Sequence, residues 1–183
     1  MLNSPVWRGS PSRAFALGLL AGGVASALAL VVLGSVLRLL APPLVWLTLA
    51  AAWFVVLAVR ETGAISFALP QNARLVPESV FRHGPFFGPF QFGLEMGTGV
   101  RTYVTSGLPY ALVVVVAFLA TPVTAVAAGI GFGLGRSVMT FGNLRYDEDA
   151  GWDREFDRWG VLIRVLVFVS YAVSLGVVAH LFL

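Results

Sequence analysis

Residues 14–37 carry no charged side chain, and uncharged runs recur at 44–59 and 108–135, with a further apolar run at 161–183 broken only by Arg164 and His180. About 20 apolar residues cross the roughly 30 Å hydrocarbon core of a bilayer as one helix. Each of these runs reaches or approaches that length. The whole chain is 58% apolar and 11% charged, against about 45–50% and about 25% in soluble domains. So little charge cannot cover a water-facing surface. The composition excludes a disordered chain, a coiled coil, a collagen-like chain and a nucleic-acid module.

The expected fold is therefore an all-α integral membrane protein, a bundle of about five transmembrane helices. The spans fall near 14–37, 44–59, 86–106, 108–135 and 161–183, with loops near 60–85 and 136–160. Pro42 and Pro43 separate the first two spans, since proline suits the first turn of a helix. Pro122, inside the 108–135 run, should kink or break its helix. Residues 145–158 read as a solvated loop with a short helix near Trp152 and Trp159. Arg8 and Arg13 ahead of an apolar run also fit a signal peptide, with a small-residue site at Ala25-Ser26-Ala27. The run continues to Leu37, longer than the 7–15 residues of such a segment, which favours an uncleaved first span.

All 12 basic residues are arginine, and the net charge is +3. They are scattered rather than clustered, so no phosphate-binding run appears. Their placement bears on topology, because cytoplasmic loops are enriched in basic residues. Arg8 and Arg13, then Arg60, Arg74 and Arg82, then Arg136, Arg145, Arg154 and Arg158 fall on one side if 86–106 crosses as its own span. That places the N-terminus in the cytoplasm, with short outer loops near 38–43 and 106–109. The alternative is four spans with 86–106 as a re-entrant segment.

Glu95 is the first candidate for chemistry. An ionisable group near mid-span costs at least about 2.5–3.5 kcal/mol on insertion scales, so it either pairs structurally or binds something polar. Arg101 is the nearest partner in sequence. Six residues turn a regular helix by about 240°, so the two meet only if the glycines between them unwind it. Gly97 and Gly99 can supply such a break and lend backbone carbonyls to a solute; Gly93 and Gly97 can equally form a close helix-packing face. Gly129, Gly131, Gly133 and Gly135 pose the same choice. Ser106 and Pro109 mark a second break, because Pro109 biases Leu108 away from helical angles. Two half-helix ends meeting there would suit a solute site; a tight outer turn is the plainer reading. Arg136 reads as a topology anchor or a contact for an anion.

At 93–119 and 131–136 the chain resembles the CcdA/DsbD-type transmembrane proteins of the LysE-like superfamily. The likeness rests on a Gly-rich helix, the Thr105-Ser106-Gly107-Leu108-Pro109 turn, and Gly131-Phe132-Gly133-Leu134-Gly135-Arg136. Those carriers place a reactive cysteine before Leu-Pro. Ser106 stands at the corresponding place here, and the chain has no cysteine, so electron transfer does not carry over. The resemblance implies a re-entrant, solute-handling fold.

Together these readings point to a small multi-pass protein of the cell membrane that moves an ion or small polar solute. The bilayer is its first partner, and a homo-oligomer or a larger membrane complex is possible. The rival is a non-catalytic subunit or assembly factor whose small-residue faces are interfaces. No Ser-His or paired-Asp spacing suggests an enzyme. With His83 and His180 far apart, no metal or other cofactor is expected.

Overall fold

In the computed structural model, the described residues are 9–70, 83–99, 106–145 and 151–182. They form six helices: α1 (Ser10–Arg38), α2 (Pro43–Glu61), α3 (Gly84–Gly97), α4 (Leu108–Leu119), α5 (Pro122–Arg145) and α6 (Gly151–Phe182). Among the described residues, three stretches are long and apolar enough to cross a membrane: α1, α2 and the Asp157–Val177 part of α6. At 14 and 12 residues, α3 and α4 extend only about 21 and 18 Å at 1.5 Å per residue.

The 29-residue α1 is the axis of the bundle. Phe15 and Leu19 meet Gly93 and Gly97 of α3. Ala27 and Val31 meet Val116 of α4 and Ala120 just beyond its end, together with Ala125 of α5. Gly23 and Leu20 meet Gly129 and Gly133 of α5. Contacts climb both helices together for α3 and descend α5 as they climb α1. On α4, Leu112 packs with the Ala27–Val31 cluster, while Ala117 reaches Gly34. Thus α1, α3 and α4 run in one direction and α5 in the other. Leu57 packs with Ala111, and Leu47 and Ala50 pack with Val114, Val115, Leu119 and Leu175, so α2 descends while α6 ascends.

Two expectations change here. By sequence, the 86–106 and 108–135 runs make successive spans of opposite direction joined by an outer turn at 106–109. Instead α3 and α4 point the same way, with α3 against the Ser10 half of α1 and α4 against the Arg38 half. The reversal comes at Pro122, which splits 108–135 into two helices. Ala120 is extended (ψ 145°), and α5 then starts on a reciprocal cap. Thr124 N donates to Thr121 Oγ1 (3.3 Å) and Thr121 N donates to Thr124 Oγ1 (2.8 Å), the arrangement of a capping box with threonine in the acid's place. Thr121→Val should cost about 1 kcal/mol, read as a lower midpoint of thermal unfolding in detergent. Thr48→Val, whose hydroxyl bonds only to Val45 O of its own helix, should change little.

The 136–160 loop is also shorter than expected. Helix α5 runs past Arg136 to Arg145, and α6 starts at Gly151. The acidic and basic residues at the start of α6 support it locally: Trp159 Nε1 donates to Glu155 Oε1 (2.8 Å), one turn back.

Glycine makes the α1 contacts possible. A Cβ on Gly22 would fall 2.9 Å from Gly97 C, and one on Gly129 would fall 2.7 Å from Val24 Cα. Both are inside van der Waals contact with backbone, which cannot swing aside. The four alternating glycines at 129–135 of α5 divide accordingly. Gly129 and Gly133, one turn apart, lie on the α1 backbone, while Gly131 and Gly135 face open space.

Outside this seam the surface is apolar. Val32, Leu33 and Val36 of α1 are each about two-thirds exposed (66–67%), and Val161, Val173 and Val177 of α6 more than half. A monomer in water rarely presents such a face.

Candidate functional site

The site is the interruption between α3 and α4. Helix α3 ends at Gly97, with Thr98 N donating to Leu94 O (3.0 Å) and Gly99 N to Met96 O (3.2 Å). Gly99 takes φ +73°, a left-handed conformation that glycine adopts without steric cost and that closes helices. Ser26, near the middle of α1, donates its Oγ to Thr98 O (3.1 Å), and Thr98 Oγ1 donates to Glu95 O (2.7 Å). Hydroxyls therefore satisfy the carbonyl end of α3 halfway along the axial helix.

The start of α4 is held from the opposite flank. Gly107 N donates to Glu61 Oε1 (2.6 Å), and Arg60 Nη1 donates to the same oxygen (3.2 Å). Leu108 N donates to Ser106 Oγ (3.2 Å). A carboxylate suits this position because a helix N-terminus carries unpaired N–H groups and partial positive charge. The Glu61 side chain is 10% exposed. It lies 46 residues from Gly107 in the chain, so only tertiary structure reveals its role. Its one sequence signal is an acid just after the apolar 44–59 run.

Every expected site residue but Arg101 has a place. Glu95 is half-buried two residues before the end of α3, its Oε1 accepting from Gln91 Nε2 (3.2 Å). Gly97 lies on the Leu19 backbone of α1, so it serves close packing whatever else it does. A Cβ on Gly99 would sit 3.9 Å from the Phe132 ring of α5. Ser106 and Pro109 bracket the first turn of α4, with Pro109 where its missing N–H costs nothing. Arg101 lies outside the described residues. The two ends of the break thus rest on different neighbours: α1 and α5 for the α3 side, α2 for the α4 side. Arg136 lies on α5 with its guanidinium 5.8 Å from the Phe132 ring.

Beside Glu95, an open cleft of about 420 Å³ is lined by His83, Phe87, Phe90, Gln91 and Leu94. Among the described residues no three His, Cys, Asp or Glu side chains gather as metal ligands would. No family model, curated protein or solved structure matches the chain.

Proposed function

We propose that the chain is a five-crossing protein of the cell membrane that moves an ion or small polar solute through the α3–α4 break. In this reading the crossings are α1, α2, the interrupted pair α3 and α4, α5, and α6. The interrupted pair supplies about 39 Å of helix, enough for one passage that neither half could make alone. The N-terminus lies in the cytoplasm and the C-terminus outside.

The observation that carries the proposal is a backbone interruption beside the middle of α1. Irregular backbone at membrane depth is tolerated only where it is buried in protein or lines a water-filled cavity. Transporters use broken helices in this way, offering helix ends to ions and polar groups. Glu95, Gly97, Gly99, Arg101, Ser106 and Pro109 would then border one polar zone, with Glu95 as the group that answers to protons or cations. Ser106 takes the place that a cysteine holds in the carriers the sequence resembles, where a hydroxyl can bind a solute and cannot carry electrons.

Charge supports the orientation. Among the described residues, Arg13, Arg60, Arg136, Arg145, Arg154 and Arg158 lie on the parts of α1, α2, α5 and α6 toward the Ser10 end, and Arg8, Arg74 and Arg82 stand in the sequence before α1 and between α2 and α3. Among the described residues Arg38 is the one arginine at the Arg38 end, and its donors are turned inward onto the carbonyls of Ala117 and Ala120 at the close of α4. In proteoliposomes holding the full chain, proton and monovalent-cation flux should exceed that of protein-free vesicles by at least tenfold. Glu95→Gln should return it to background. Flux that survives Glu95→Gln unchanged removes Glu95 from the pathway.

A further inference from the structure

Beyond the end of α2 the chain turns at Gly63 (φ +82°) and runs without regular secondary structure to Pro70. It lies back over the first turn of α4. We propose that residues 62–70 are a strap that gates the α4 side of the break from the Ser10 end of the bundle. This rests on the transport reading above.

Three residues pin the strap, and all three reach the surroundings of Gly107. Phe67 O accepts from Arg60 Nε (3.2 Å), and the Arg60 guanidinium lies 5.4 Å from the Phe67 ring centre. The same Arg60 bonds Glu61 Oε1, which holds Gly107 N. Leu69 is buried against Leu57 and Ala111. Pro70 O accepts from Tyr110 OH (2.6 Å), and Tyr110 O accepts from Trp53 Nε1 (3.2 Å). The rest of the strap (Thr62, Gly63, Ala64, Ile65, Ser66 and Ala68) is exposed.

Few buried contacts and no ladder of backbone hydrogen bonds place a segment at the low-stability end of a fold, where lids and moving elements are found. The pins also define what moves. Releasing Phe67 and Leu69 uncovers Leu57 and Ala111 and leaves Arg60 bonded to Glu61 alone. The α4 N-terminus then faces the compartment at the Ser10 end. The strap is thus coupled to the break through one arginine that touches both.

The native chain has no cysteine, so single thiols report access directly. Ser106→Cys in the full chain is labelled with a membrane-impermeant maleimide in inside-out vesicles, with Ala64→Cys as the exposed reference. With the strap intact, Ser106→Cys should react at least tenfold more slowly than Ala64→Cys. Adding Tyr110→Phe, which removes only the Pro70 bond, should raise its rate about threefold, and Phe67→Ala with Tyr110→Phe about tenfold. Equal rates at the two thiols in the intact chain would overturn the gate, as would a Ser106→Cys rate that neither change moves. These rates do not depend on flux, so loss of the transport reading and loss of the gate are separate results.

Discussion

Gly129→Ala and Gly131→Ala, two residues apart on α5, should move stability in opposite directions. At Gly129 the new methyl meets Gly23 O at 2.6 Å, Val24 Cα at 2.7 Å and Gly23 C at 2.8 Å. These are main-chain atoms of another helix, so relief requires α1 and α5 to part. Overpacking of this kind costs about 1–3 kcal/mol, and Gly129→Val should exceed that range. At Gly131 nothing lies within 4 Å. There the substitution only restricts the unfolded chain and improves helix propensity, a gain of up to about 1 kcal/mol. Thermal unfolding of the full chain in mild detergent reads both, and shifts of the same sign and size would contradict the α1–α5 seam. Gly97→Ala belongs with Gly129→Ala, since its methyl would fall 2.8 Å from Leu19 Cα.

Arg38→Ala should be strongly destabilising. Arg38 Nε donates to Ala117 O (3.0 Å), and Nη2 donates to Val116 O (3.2 Å), Ala117 O (2.7 Å) and Ala120 O (2.8 Å). One guanidinium therefore satisfies the carbonyl end of α4 where the chain leaves the helix for the Pro122 turn. A cation there also complements the helix dipole. Hydrogen bonds to charged groups contribute about 1.5–3 kcal/mol each way they are counted, so a loss of about 3 kcal/mol is expected on truncation. Arg38→Lys should recover only part, because a single ammonium on a flexible stem lacks the planar fork. Arg38→Met, which keeps the apolar stem, should resemble alanine. Midpoints of unfolding for the three variants check this ordering. Full rescue by methionine would make Arg38 a packing residue instead.

The long uncharged runs made α1, α2 and most of α6 legible, because a helix in lipid needs little beyond length and apolarity to declare itself. The break at Pro122 was legible for an equally local reason. The directions of α3 and α4 were not. Both are too short to carry a topology signal, and what orients them is the backbone of α1 under Gly18, Gly22 and Gly34. A run of alternating glycines looks uniform in sequence, yet Gly129 and Gly133 lie on α1 while Gly131 and Gly135 do not. The contacts that close the break are long-range as well. Glu61 lies 46 residues from Gly107 and Ser26 72 residues from Thr98. Glu95 stood out as a charge in an apolar stretch; Glu61 did not, because an acid after a span reads as an ordinary end.

Everything functional depends on α3 and α4 forming one interrupted passage. The direct test is thiol labelling of intact cells from outside with a membrane-impermeant maleimide, comparing Leu40→Cys, Ser106→Cys and Thr121→Cys in the full chain. One interrupted passage predicts rapid labelling at Leu40→Cys and Thr121→Cys, both in turns at the Arg38 end, and little at Ser106→Cys. Two separate crossings joined by an outer turn at 106–109 would label Ser106→Cys as fast as Leu40→Cys, and that result would contradict the account.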